Sequence, residues 1–150
     1  MRDRLRDGVE EALKALGAGA LADPETRRRI EAEDRPAEAL HAECLRVIYR
    51  IIFVLTAEDR QLLHGPGATD LARSTFAEGY SLAGLANRAR RRANHDRHHD
   101  AYEAVKVVFR ALQTGQPLLG LPALGGLFRE GVTPILDEAT LPNRAFSARI

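Results

Sequence analysis

Cysteine occurs once, at Cys44, which excludes a disulfide within the chain. The fold must therefore rest on its apolar core, and the cysteine usage fits a reducing, cytoplasmic setting. Lysine is scarce as well. Of the 22 basic residues only Lys14 and Lys106 are lysines, and the others are arginines, which suit phosphate forks and buried ion pairs. No sign of charge dominates. The 22 basic residues face 21 acidic ones for a net charge of +1, so whole-chain charge excludes a strongly basic, histone-like protein. No apolar segment follows Met1, where Arg2, Asp3 and Arg4 come first, and no secretory leader is expected. Long hydrophobic runs are missing too. The longest, Val47 to Ala57, is interrupted by Arg50 and Thr56 and falls short of the roughly 20 residues of a membrane span. No run alternates as a strand would.

What is present is helical periodicity in a chain of ordinary globular composition, 45% hydrophobic and 29% charged. A single all-α domain over residues 1–150 is expected, an irregular helical bundle around one central apolar helix, with a long ordered Gly/Pro/Leu loop near the C-terminus. Leu5, Val9, Leu13 and Leu16 form the stripe of a first helix, which Gly17 and Gly19 are expected to stop. Asp23-Pro24 reads as an N-cap followed by a first-turn proline, opening a short charged helix toward Glu33 anchored by Ile30. Pro36 opens the strongest element. Leu40, Cys44, Ile48, Ile51 and Leu55 make its stripe, and Leu45, Tyr49, Ile52 and Phe53 widen it until the helix is apolar nearly all round. Such a helix is expected to be covered by others. His64-Gly65-Pro66-Gly67 breaks it. Residues 68 to 80 carry no decisive pattern. Ser81 can cap a helix bearing Leu82 and Leu85, and Tyr102, Val105, Val108, Phe109 and Leu112 mark a further amphipathic helix that Gly115 and Pro117 end. A short helix is possible after Leu141-Pro142.

Four features bear on chemistry. Glu58 and Asp59 close the apolar helix, but adjacent carboxylates on a helix point about 100° apart and do not share a substrate. An ion network in which Arg60 or another arginine satisfies one acid is expected instead. Arg88, Arg90, Arg91, Arg92 and Arg97 stand against a single acid, Asp96, and are the candidate phosphate contacts. No aromatic interleaves them, so base stacking is not indicated. The competing reading is a solvated helix end and loop. His95, His98 and His99 lie at offsets of three and four beside Asp96 and Asp100, a spacing open to Zn²⁺ or Ni²⁺, yet HExxH is absent and a polar loop is the simpler account. No metal site is assigned. Gly120 to Gly126 lacks both GxGxxG and a GK[ST] ending, no Ser–His or Cys–His arrangement has a recognisable context, and no Asn-Pro-Pro-aromatic tetrad occurs. No catalytic residue is assigned.

Taken in order, three segments resemble one family. They are Leu55-Thr56-Ala57-Glu58-Asp59-Arg60-Gln61-Leu62-Leu63, then Tyr80-Ser81-Leu82-Ala83-Gly84-Leu85, then Phe109 through Gly115, Leu119-Gly120-Leu121-Pro122 and Gly125-Gly126-Leu127-Phe128. Their order and spacing resemble the helical N-terminal region of large adenine-specific DNA methyltransferases, found in type IIG restriction–modification enzymes and in the BREX and DISARM phage-defence systems. The resemblance implies an accessory segment that precedes a catalytic domain absent from this chain. It implies that S-adenosylmethionine binds in that missing domain, that no cofactor binds here, and that the partners are the catalytic domain and DNA backbone, with no membrane. None of the family's catalytic residues has a matching position. The competing class is a stand-alone helical module that binds a partner protein and has no nucleic-acid role. An enzyme built on the histidine cluster is a third reading.

Overall fold

The computed structural model describes residues 2–92 and 99–146, with the backbone alone over 89–92. It is all-α. Among the described residues seven helices follow in chain order: α1 (Arg2–Ala22), α2 (Pro24–Glu31), α3 (Pro36–Asp59), α4 (Asp70–Gly79), α5 (Leu82–Arg92), α6 (Asp100–Thr114) and α7 (Pro134–Asp137). Short 3₁₀ turns at Pro117–Leu119, Gly126–Phe128 and Asn143–Phe146 break up the C-terminal third. Among the described residues no strand forms, and the only β-type pairing is an isolated bridge between Gln116 and Leu121.

The local signals act as their chemistry requires. Asp23 caps α2 through the Thr26 N–H (3.0 Å) and hydroxyl (2.8 Å), with Pro24 in the first turn. Those two donors hold the Asp23 carboxyl below its usual range. Thr69 caps α4 by accepting the Ala72 N–H at 3.1 Å, which gives residues 68 to 80 their helix. Ser81 caps α5 by accepting the Gly84 N–H, also at 3.1 Å. The predicted α6 stripe of Tyr102, Val105, Val108, Phe109 and Leu112 is buried throughout, and Gly115 ends the helix at a φ of 82°.

Two expectations need correction. Gly17 and Gly19 do not stop α1, which runs on to Ala22. A Cβ built on Gly19 would lie 2.9 Å from Ala145 Cβ and 3.4 Å from Pro142 Cδ. This glycine serves close packing against the C-terminal turn, and that packing outweighs its poor helix propensity. Nor is α3 covered all round. Its buried face is Cys44, Val47, Ile48 and Val54, whereas Ile51 and Leu55 are half-buried. Tyr49 and Phe53 stand 49% and 45% exposed, because among the described residues helices pack along the other side of α3 and this edge is only partly covered.

The Gly/Pro/Leu loop is ordered and folds back onto its own protein. Leu119, Leu121 and Phe128 are buried, and Leu118 alone among its leucines stands largely out, at 78% exposed. Gly120 sits at the tightest point of this return. At a φ of +66° its carbonyl accepts the Gly65 N–H (3.1 Å), and a Cβ there would lie 2.8 Å from Ala68 Cβ. Glycine is required on both counts.

Candidate nucleic-acid interface

Helix α5 holds four of the five predicted phosphate contacts, Arg88, Arg90, Arg91 and Arg92, and its position is set by its first turn. Glu58, in the last turn of α3, accepts the N–H of Leu82 (3.0 Å) and of Ala83 (3.3 Å) and the hydroxyl of Ser81 (2.5 Å). A carboxylate at a helix N-terminus satisfies orphan amides and meets the positive end of the helix dipole. Leu82 is buried beside it and Leu85 half-buried, which pins this end of α5 to the core. The expected ion network at the end of α3 is therefore replaced. Glu58 pairs with a helix start, not an arginine, and among the described residues Asp59 and Arg60 form no ion pair.

The opposite end of α5 is the basic one. The helix carries arginine at 88, 90, 91 and 92 and no acid along its length. Its backbone places positions 88, 91 and 92 on one face, at offsets of three and four. Arg88 is exposed. The side chains of Arg90, Arg91 and Arg92, and the whole of Arg97, lie outside the described residues. Cations in the last turn of a helix also complement its dipole, so this charge suits the fold as well as a phosphate.

His95, Asp96 and His98 likewise lie outside the described residues. Of the remaining members of that cluster, His99 precedes α6 without capping it, and Asp100 accepts the Asn143 side-chain amide at 2.7 Å. Among the described residues no group of histidine, cysteine and carboxylate side chains is placed to hold a metal ion. No described helix is long and apolar enough to cross a membrane.

The buried polar residues form a second arrangement that sequence reasoning missed. Glu43, on α3, accepts the N–H groups of Ile135 (2.9 Å) and Leu136 (3.1 Å) at the start of α7. Burial raises its carboxyl above the usual range, against the pull of those two amides. Tyr102 donates its hydroxyl to Leu136 O (2.6 Å), and Lys106 donates to Ala139 O (3.0 Å). Burial pushes the Tyr102 phenol up. Arg50, 3% exposed, donates Nε to Leu127 O (2.7 Å) and Nη1 to Thr133 Oγ1 (3.0 Å). Each of these side chains engages the backbone or a side chain of the C-terminal loop and α7, which supply no helical ladder of their own length to satisfy them. The only trace in the sequence is the charge itself, Glu43 and Arg50 seven residues apart on the most apolar helix of the chain, with Arg46 between them.

No protein-family model, no curated protein and no solved structure matches the chain.

Proposed function

We propose that the chain is a helical accessory region of an adenine-specific DNA methyltransferase of a restriction or phage-defence system. In this reading it scaffolds a separate catalytic domain, which binds S-adenosylmethionine, and touches DNA backbone through the arginines of α5. The observation that carries the reading is that the three resembling segments meet along α3. The first joins the second where Glu58 accepts from Ser81 and Leu82. The third is tied to the same helix where Arg50 donates to Leu127 O and Phe53 meets Phe128 edge to face, with centroids 5.5 Å apart. Residues that look like a family signature here make contacts that build a scaffold, in keeping with an accessory role and with the absence of any assigned catalytic residue.

The decisive experiment is to read the DNA that follows this coding sequence and to assay the protein it encodes. The proposal expects a Gly-rich S-adenosylmethionine motif and an Asn-Pro-Pro-aromatic tetrad there, in the same or an adjoining frame. It also expects that the chain alone transfers no labelled methyl group to duplex DNA. A neighbouring sequence with neither motif overturns the proposal, as does methyl transfer by the chain alone.

A stand-alone protein-interaction module is the second reading, favoured by the exposed Tyr49 and Phe53 on α3 and by Leu118. A protein partner retained on a Tyr49→Ser, Phe53→Ser variant would count against that surface.

A further inference from the structure

A cavity of about 390 Å³ opens between α3, α6 and the C-terminal loop, with Arg50, Lys106, Phe109, Arg110, Phe128 and Asp137 on its walls. This is the size of ordinary small-ligand pockets. Its most buried polar lining residue is Arg50, 3% exposed. Nε donates to Leu127 O, and Nη1 donates to Thr133 Oγ1 and, at 3.4 Å, to Asp137 Oδ1. No described group accepts from Nη2. Since no fully buried side-chain nitrogen or oxygen among the described residues lacks a partner, Nη2 is not fully buried, and Arg50 lines this cavity. The guanidinium is also held in place by two aromatic rings, with its carbon 5.4 Å from the Phe109 centroid and 5.7 Å from that of Phe128. A buried cation so fixed, with an unspent donor facing a cavity, is preorganised for an acceptor.

Three cations, Arg50, Lys106 and Arg110, and three acids, Glu130, Asp137 and Glu138, line the cavity, and they differ in how far each is already paired. Lys106 Nζ donates to Ala139 O, pairs with Glu103 at 2.8 Å and lies 5.0 Å from the Tyr102 ring centroid, so that among the described residues two of its three hydrogens meet an oxygen. Arg110 is exposed, and among the described residues only its Nε is engaged, with Lys106 O at 3.4 Å, so neither terminal nitrogen of its fork meets a described acceptor. Two of the acids at the cavity are already committed. Asp137 accepts from Thr133 and Arg50, and Glu138 pairs with Arg29. Glu130, on the mouth, forms no ion pair among the described residues and is the group that opposes an anion there.

We propose that this cavity binds the oxyanion, phosphate or carboxylate, of a small molecule, seated between Arg50 Nη2 and the Arg110 fork with Lys106 beside it. Arginine forks match both oxyanions. The site is separate from the α5 arginines and does not depend on the methyltransferase reading.

The test is titration of the full chain with inorganic phosphate and, separately, with malonate, at constant ionic strength. The readouts are the side-chain ¹⁵N–¹H signals of Arg50 and Arg110 and the binding isotherm. Saturable shifts of both arginine signals with either ion are expected, and the two probes separate phosphate from carboxylate recognition. Arg110→Gln, on an exposed side chain, is expected to weaken binding about tenfold, the loss of a charge-assisted contact. Shifts no larger than those with chloride overturn the proposal, and so does binding that is unchanged in Arg110→Gln and Lys106→Gln. Displacement of the ion by duplex DNA would make the cavity part of a nucleic-acid surface and overturn the small-molecule assignment. The wild-type signals decide the matter even where a variant fails to fold.

Discussion

Glu58 accepts the backbone N–H of Leu82 at 3.0 Å, so that the last turn of α3 caps the first turn of α5. Removing the carboxylate leaves two amides and the Ser81 hydroxyl without their acceptor. Glu58→Ala is expected to cost about 0.5–2 kcal/mol, the range of a lost helix cap. Asp59→Ala, on an exposed neighbour with no ion pair among the described residues, is expected to change stability by less than about 0.5 kcal/mol. Equal urea midpoints for the two variants would remove the cap from this account.

Two glycines of α1, Gly17 and Gly19, predict opposite signs for one chemical change. A Cβ on Gly17 meets nothing closer than Leu40 Cδ2 at 4.0 Å. Gly17→Ala is therefore expected to stabilise by about 0.5–1 kcal/mol, the helix-propensity gain. At Gly19 the added Cβ runs into Ala145 Cβ at 2.9 Å, and Gly19→Ala is expected to destabilise by about 1–3 kcal/mol, as overpacking does. Thermal melts that rank the two in the same direction would contradict the packing of α1 on the C-terminal turn.

Glu43 predicts a pH dependence. Its carboxyl is raised on folding from an ordinary value near 4.5, burial being the main cause. The folded state therefore binds more protons than the unfolded state across the window that begins near 4.5 and ends at the raised folded value. Stability from this group is full below that window and falls as pH rises through it. Glu43→Gln keeps an acceptor for the Ile135 and Leu136 amides without a charge to bury, so its stability relative to the native protein is expected to improve as pH rises through the window. Glu43→Ala leaves both amides bare and is expected to cost about 1–3 kcal/mol throughout. Urea melts across a pH series check this, and a Gln-minus-native difference that stays flat with pH would refute the raised carboxyl.

Cys44 is 1% exposed, and burial pushes its thiol up to about 12. The thiolate is the reactive form. Labelling by an aromatic disulfide reagent at neutral pH is expected to be slow in the folded protein, to follow the unfolding transition in urea, and to be complete in the unfolded chain. Labelling of the native protein at the rate of a free thiol would place Cys44 outside the core.

The α5 arginines predict a salt effect if they meet phosphate. Binding to duplex DNA should be weak, independent of sequence and strongest at low salt, given a net charge of only +1. Each phosphate neutralised adds about 0.9 to the slope of log affinity against log salt. Replacing Arg90, Arg91 and Arg92 with Ala is expected to flatten that slope and weaken all sequences alike, since phosphate contacts carry no base information. An unchanged slope, or no binding by either protein at low salt, returns these arginines to a helix-end role.

The helices themselves were written locally. Asp23, Pro24, Pro36, Ser81 and Gly115 mark element ends by chemistry that acts within one turn, and the α6 stripe needs only a period of 3.6 to be seen. The all-α class follows from those signals alone. What no local pattern holds is which neighbour each residue meets. Gly19 stays helical because Ala145 lies against it, and Tyr49 stays exposed because no described helix covers its side of α3. Glu58 finds a helix start instead of an arginine because α5 begins there. The same holds for the α3 charges. Seven residues apart on one helix, Glu43 and Arg50 look like interruptions of an apolar face, and become a clamp on the C-terminal loop and α7 only after chain more than seventy residues away has folded back over them. A buried charge is stable only beside its partner, and partners so distant in the chain are chosen by tertiary packing.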